Sequence, residues 1–158
     1  MKINKTWVKW IIRVLFILYI ILLSYFLFFS ERYGRTAGVD YRYNLTLFKE
    51  VKRFIKYRHE IGLEGFIVNI FGNVIAFMPF GFVLPIISPE NRKLLYIFLL
   101  SLEFSISIEL IQLIFKVGIF DVDDIFMNTL GGLVGGILFF ICYFIYRKCT
   151  YTKARGRK

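Results

Sequence analysis

The chain contains very few of the residues on which catalytic and metal-binding proteins usually depend. Its 158 residues include one histidine and two cysteines. Cys142 and Cys149 have a spacing that fits neither a zinc motif nor a redox pair, and we expect both to be free thiols. The composition therefore argues against a Ser/His/Asp or Cys/His nucleophile set, and any catalysis would depend on carboxylates.

Proline and acidic residues are also scarce. There are three prolines, and 11 acidic residues face 21 basic ones, which gives a net charge of +10. A basic protein can bind nucleic acid, but here the Lys and Arg residues flank apolar runs and no recognition module is visible. We expect no nucleic-acid partner, and we attribute the charge to attraction toward anionic lipid headgroups.

Hydrophobic residues, in contrast, make up 58% of the chain, with 19 phenylalanines. Four stretches reach the roughly 20 residues that a membrane-spanning helix needs. They are Trp10–Phe29, Ile67–Ile87, Leu94–Phe115 and Ile125–Tyr146. We predict an all-α fold, an integral membrane four-helix bundle with the lipid bilayer as its surroundings. The first stretch is long and is followed by no small-residue cleavage site, which favours a retained anchor over a signal peptide.

These spans divide the chain into four regions. We predict an N-terminal anchor helix in residues 1–30, an outer loop in 31–66, a three-helix core in 67–146 and a basic tail in 147–158. With four spans, both termini lie on one side of the membrane. That side has twelve Lys and Arg residues and the opposite side has nine, which favours the cytoplasm for the termini. The predicted location is a bacterial cell membrane, with both termini cytoplasmic.

The outer loop has a helical pattern of its own. In Thr46–Arg58, apolar residues recur at helical spacing, while Lys, Arg and Glu occupy the other side. This pattern indicates an amphipathic helix that either lies in the membrane interface or packs over the mouth of the bundle.

Polar residues within the last three spans form the candidate site, because connectivity brings them toward one membrane face. The predicted cluster comprises Asn69, Asn73, Glu109, Gln112, Asp121, Asp123, Asp124 and Asn128. The paired asparagines could bond across helices or bind a ligand. Glu109 could be a neutral structural group, a proton acceptor or a metal ligand. An acid at this depth costs about 2.5 to 3.5 kcal/mol to hold in lipid, so it should face a polar interior.

The acidic run at the start of the last span is richer than a helix cap requires. One aspartate explains the cap. Asp121, Asp123 and Asp124, together with Glu109, could instead hold Mg²⁺ or Ca²⁺ or grip a cationic ligand. Glu103 lies off the polar face of its span, and the sequence does not reveal its partner.

Small residues indicate where helices approach closely. Gly131 with Gly135 and Gly132 with Gly136 form two overlapping GxxxG pairs, which we interpret as packing positions. Pro79 and Gly81 lie in the second span, where proline should bend the helix.

The order of these motifs resembles the VanZ-like family of bacterial membrane proteins. The series runs Asn69-x3-Asn73-x3-Phe77-x-Pro79-x-Gly81, Ser105-x3-Glu109-x2-Gln112, and Asp121-x-Asp123-Asp124-x3-Asn128 with the glycines after it. The resemblance covers Tyr41 to Tyr146. It implies a small bacterial multi-pass protein of a family whose namesake confers low-level teicoplanin resistance. Many members carry an arginine before the acidic motif, whereas here Lys116 is the nearest basic residue, so the cluster is less neutralised.

Two functions fit these observations. The first is a non-enzymatic membrane protein that binds a lipid-linked wall precursor or a lipoglycopeptide in an outward polar pocket, and so lowers susceptibility to teicoplanin-type antibiotics. The alternative is a divalent-metal-dependent membrane enzyme that acts on a lipid-linked phosphate or headgroup. The lack of a histidine-based nucleophile set favours the first.

Overall fold

The computed structural model describes residues 5–29 and 41–155. Residues 31–40 of the predicted outer loop and 156–158 of the basic tail lie outside the described residues. The same holds for a few side chains within helices, including that of Asn69.

Helices account for most of the described chain. Five α-helices occur in it: α1 Lys5–Phe29, α2 Lys49–Lys56, α3 Arg58–Ile87, α4 Leu94–Phe115 and α5 Val122–Arg155. A short 3₁₀ turn, Pro89–Asn91, connects α3 to α4. The helices α1, α3, α4 and α5 each contain an apolar segment long enough to cross a membrane, so the predicted all-α membrane fold is confirmed.

Two very short strands pair at one end of the bundle. Strand β1, Tyr43–Asn44, lies parallel to β2, Phe120–Asp121. Helix α4 ends in a tight turn, which brings the following residues close enough to pair with β1. Lys116 adopts a left-handed conformation with φ 54°, its N–H bonds the carbonyl of Leu113, and the N–H of Val117 bonds that of Gln112. This reversal sends the chain directly into β2.

The amphipathic helix is shorter than its sequence pattern. It begins at Lys49 because Phe48 takes a left-handed conformation with φ 63°, which helices do not contain. After Tyr57 the chain becomes helical again, nine residues before the predicted span. Gly62, with φ 77°, interrupts the helical geometry within α3.

Helix α5 also runs further than predicted. It continues to Arg155, through most of the segment expected to be a basic tail. Lysine and arginine are good helix formers, and residues 147–155 contain no glycine or proline that would interrupt the helix.

The two overlapping glycine pairs of α5 face two different helices. A Cβ built on Gly131 would lie 2.3 Å from the carbonyl oxygen of Val74 in α3, and one on Gly135 would lie 2.0 Å from that of Met78. The second pair faces α4 instead. A Cβ on Gly132 would lie 2.0 Å from Ser101 Oγ, and one on Gly136 would lie 2.8 Å from Ile97 Cδ1. Helix α5 is therefore the centre of the bundle.

Helix α3 also approaches α5 closely at Gly81, which packs directly on the Gly132 backbone. Pro79, two residues earlier in α3, is exposed. Helix α1 lies at the periphery, where Leu23 and Leu27 pack on Phe77.

Candidate functional site

Asp123 binds the outer loop through its backbone. Its Oδ2 accepts a hydrogen bond from the N–H of Glu50 at 2.9 Å, and its Oδ1 accepts a short one from the N–H of Phe48. These N–H groups belong to the first turn of α2 and would otherwise lack partners. The left-handed conformation of Phe48 directs them toward the carboxylate. Asp123 therefore caps α2 from another helix, and it is 3% exposed.

Asp121 holds the strand pair. Its Oδ1 accepts hydrogen bonds from Asn44 Nδ2 at 3.0 Å and from the N–H of Asp123 at 2.8 Å. The N–H of Phe120 also bonds the carbonyl of Arg42, at 3.0 Å. Burial raises the pKa of the Asp121 carboxyl, although the hydrogen bonds from Asp123 and Asn44 oppose the rise.

Glu109 and Gln112 connect α4 to its surroundings. Glu109 is 1% exposed, and its Oε2 accepts the N–H of Asp121 at 3.0 Å. Gln112 donates from Nε2 to the carbonyl of Leu27 in α1 at 2.9 Å. The strand pair, the acidic segment and two membrane helices thus share one hydrogen-bonded network.

The remaining polar residues pair between helices. Asn73 of α3 donates to Asp124 Oδ1 at 2.6 Å. Asn128 donates to Ser105 Oγ of α4 at 2.9 Å, about one helical turn below Asp124. Its Oδ1 and the Ser101 hydroxyl are buried and have no hydrogen-bond partner within the part of the chain that the structure describes.

A cavity of about 780 Å³ lies between the outer loop and this end of the bundle. The bundle contributes amide and carboxylate groups from Asn73, Gln112 and the three aspartates. The loop contributes basic and aromatic side chains: Arg42, Lys49, Arg53, Tyr41, Tyr43 and Phe54. The cavity wall therefore combines basic groups on the loop side, acidic groups that include Glu50, hydrogen-bonding amides and aromatic surface.

The sequence matches a family model over most of its length. The model is VanZ/LLP1, and it covers residues 16–143, which include all described strands and the whole cavity. This chain belongs to the VanZ/LLP1 family. It is 31% identical over 129 residues to Protein VanZ of Enterococcus faecium, an alignment that covers 78% of this chain and 70% of the relative. No solved structure matches the chain significantly.

The carboxylates of this VanZ/LLP1 family member point to different partners rather than to one centre. Asp121 accepts from Asn44, Asp123 from the α2 amides and Asp124 from Asn73. Among the residues that the structure describes, no three His, Cys, Asp or Glu side chains are grouped closely enough to hold a metal ion. Asp121 and Asp123 of the predicted donor set thus bind the outer loop, whereas Asp124 binds α3.

Some members of this network were not among the predicted site residues. Asn44 is 6% exposed and donates to Asp121, and it lies outside the spans whose polar residues formed the predicted site. The backbone N–H groups of Phe48 and Glu50 carry no sequence signal at all. Ser105 had the spacing of the polar face of α4, which is the signal that could have identified it.

Proposed function

We propose that this protein lowers susceptibility to teicoplanin-type lipoglycopeptides by binding an amphiphilic envelope ligand in the cavity at the outer membrane face. Membership of the VanZ/LLP1 family supports the general activity. The single observation that carries the proposal is the cavity of about 780 Å³ between the outer loop and the bundle. Its position at the opposite end of the bundle from both termini makes it outward when the termini are cytoplasmic.

The chemistry of the cavity fits a ligand with a polar head and an apolar tail. Arg42 and Lys49 offer positive charge to a phosphate or carboxylate, and Tyr43 and Phe54 offer aromatic surface. Helix α2 leaves Ile55 exposed on its other side, in reach of lipid. A head group can therefore enter the cavity while its tail stays in the bilayer. Both a lipoglycopeptide and a lipid-linked wall precursor have this character.

The acidic residues position the site in this proposal. Asp123 accepts hydrogen bonds from the backbone of α2, Asp121 accepts one from Asn44, and Glu109 accepts the N–H of Asp121. Together these bonds hold the outer loop over the cavity. These acidic residues position the loop, and the basic and aromatic side chains of the cavity wall contact the ligand directly.

Expression in a susceptible Gram-positive host tests the proposal. The wild-type chain should raise teicoplanin tolerance modestly and leave vancomycin tolerance little changed, because vancomycin lacks the lipid tail. Asp123→Ala should abolish the effect at an equal membrane level, since it releases α2. Glu90→Gln, a change on an exposed turn at the other end of the bundle, is the matched control and should retain full tolerance. Wild-type protein that reaches the membrane and confers no tolerance would contradict the proposal.

Binding to reconstituted protein identifies the ligand. Saturable binding of labelled teicoplanin, weakened by Lys49→Gln, would support capture of the antibiotic. Binding of a lipid-linked precursor instead, with teicoplanin as a competitor, would support protection of the wall target. If neither binds above the level of protein-free liposomes, the cavity is not the site.

The metal-dependent enzyme is the competing proposal. Its donors would be Asp121, Asp123, Asp124 and Glu109, each of which already accepts at least one hydrogen bond. Calorimetric titration with Mg²⁺ and Ca²⁺ decides between the two. Stoichiometric binding that Asp123→Asn removes would favour the enzyme over the binding protein.

A further inference from the structure

Glu103 is an acidic residue on the side of the membrane helix α4 that faces away from the bundle. It lies near the middle of α4, roughly 14 Å from Leu94 and 18 Å from Phe115 at about 1.5 Å per residue. The buried side of α4 is formed by other residues: Ile97, Ser101, Ser105, Ile108, Glu109 and Gln112. At about 100° per residue, Glu103 lies opposite the centre of that side, and it is exposed.

The described protein gives this carboxyl group no partner. No hydrogen bond or ion pair of its side chain occurs within residues 5–29 and 41–155. The neighbouring hydroxyl of Ser107 donates instead to the backbone carbonyl of Glu103, at 2.8 Å. Membrane acids almost always face a protein or a water-filled interior, so an acid turned toward lipid at mid-depth indicates a surface that another helix covers.

We propose that a second copy of this chain covers it, and that α4 pairs with its equivalent through Glu103. On the side of α4 that faces away from the bundle, residues recur at the spacing found where two helices pack together. Leu99, Glu103, Ile106, Leu110 and Leu113 follow one another at intervals of four, three, four and three residues. This is the repeat of left-handed helix pairs, in which one polar residue fixes register and number of chains.

Symmetry favours a second copy over an unrelated partner. All copies enter the membrane in the same orientation, so a two-fold axis along the membrane normal brings the two Glu103 side chains together at equal depth. Polar side chains that meet between membrane helices hold the helices together by hydrogen bonds, and the two-fold axis gives each Glu103 its equivalent as the partner.

Arg13 of a neighbouring copy is the alternative partner, and its depth does not match. Gln112 bonds the carbonyl of Leu27, which sets α1 and α4 in register. Arg13 lies 14 residues before Leu27, and Glu103 lies nine before Gln112, so Arg13 is roughly 7.5 Å nearer the termini. Its guanidinium also lies 5.4 Å from the centroid of the Trp10 ring, further toward that end.

Disulfide cross-linking in liposomes tests the pairing. In a background with Cys142 and Cys149 changed to serine, Leu110→Cys should give a dimer on oxidation. Ile111→Cys is the matched control, since it is similarly exposed at the same depth but one residue round the helix. It should cross-link far less. Equal cross-linking at the two positions, or none at Leu110 at any protein-to-lipid ratio, would overturn the proposed interface.

Substitutions of Glu103 test its role. Glu103→Leu should raise the dimer dissociation constant, measured by energy transfer in liposomes, by roughly 3- to 30-fold. Glu103→Gln should stay close to the wild type, because an amide also donates and accepts. An unchanged constant in Glu103→Leu would remove the carboxyl group from the interface, and a rise only in Arg13→Gln would assign the contact to α1. The unfolding temperature of each monomer in detergent shows that the variants are folded.

Discussion

A buried carboxylate at the end of a membrane bundle needs donors, and here the donors are mostly backbone N–H groups of a distant loop. Asp123 receives two of them from the first turn of α2. Hydrogen bonds to charged groups contribute about 1.5 to 3 kcal/mol each, more than neutral ones. A single side chain therefore has a large effect on how firmly the outer loop is held.

Asp123→Ala should release α2 while the membrane helices stay folded. Loss of both bonds should lower the free energy of local opening by about 3 kcal/mol or more, which corresponds to roughly 150-fold or more faster amide exchange in residues 48–52. Glu50→Gln is the control, because it keeps the backbone N–H that Asp123 accepts and removes the ion pair between the half-buried Glu50 and the exposed Arg53. Exchange measured by mass spectrometry in detergent checks this. Unchanged protection of α2 in the alanine variant would contradict the capping role.

Asp121 should make stability depend on pH in a defined direction. Its folded-state pKa lies above the unfolded value of 3.8, so its contribution is fully present below pH 3.8 and is lost as pH rises through the raised pKa. Asp121→Asn keeps the Oδ1 that accepts both hydrogen bonds and removes the titration.

The difference in unfolding temperature between Asp121→Asn and the wild type should therefore shift in favour of the variant from pH 4 to pH 7. Thermal unfolding in detergent at several pH values measures it. A difference that is constant with pH, or that shifts in favour of the wild type, would contradict the burial effect.

At the scale of the helices, the two glycine pairs of α5 pack against two different neighbours, α3 and α4. The Gly135 Cα lies against a backbone carbonyl of α3, which cannot move without the whole helix, whereas Gly136 meets the flexible end of Ile97. The same sequence motif thus has a rigid and an adaptable side.

Gly135→Ala should destabilise the bundle more than Gly136→Ala. Alanine is favoured over glycine in helices by about 1 kcal/mol at both positions, so the difference isolates the packing. We expect a cost of about 1 to 3 kcal/mol or more from overpacking at Gly135 and a smaller one at Gly136. Denaturation in mixed detergents, followed by helical circular dichroism, compares the two. A larger cost at Gly136 would contradict the assignment of faces.

The sequence predicts the spanning helices well because length and hydropathy decide them. It predicts that Glu109 and the aspartates lie near one end, since short connections leave them little choice. It does not predict what the aspartates bind, because their partners at Phe48 and Glu50 are backbone groups found in every residue. The sequence also does not predict that α3 begins at Arg58, because tertiary packing decides where an interfacial segment becomes helical.

For the molecule as a whole, we expect both termini in the cytoplasm and the α4–α5 connection outside. Ile119 is a suitable position for labelling, since it is exposed, whereas a side chain at Gly118 would press on Gln112. In a cysteine-free background, Ile119→Cys should react with an impermeant maleimide in intact cells. Glu90→Cys, on the opposite turn, should react only after permeabilisation. The reverse pattern would invert the topology.

The bonds between the outer loop and the acidic segment also bear on how the protein is made. Asn44 and Asp121 are separated by 77 positions along the chain. At about 5 to 20 residues per second, a ribosome needs roughly 4 to 15 s to synthesise that interval. Throughout this time α2 has no capping carboxylate, and the strand β1 has no neighbour. The cavity is thus completed only after the start of α5 has been made, so a nascent chain that stalls before Asp121 can contain three membrane helices and still lack the acidic wall of the cavity.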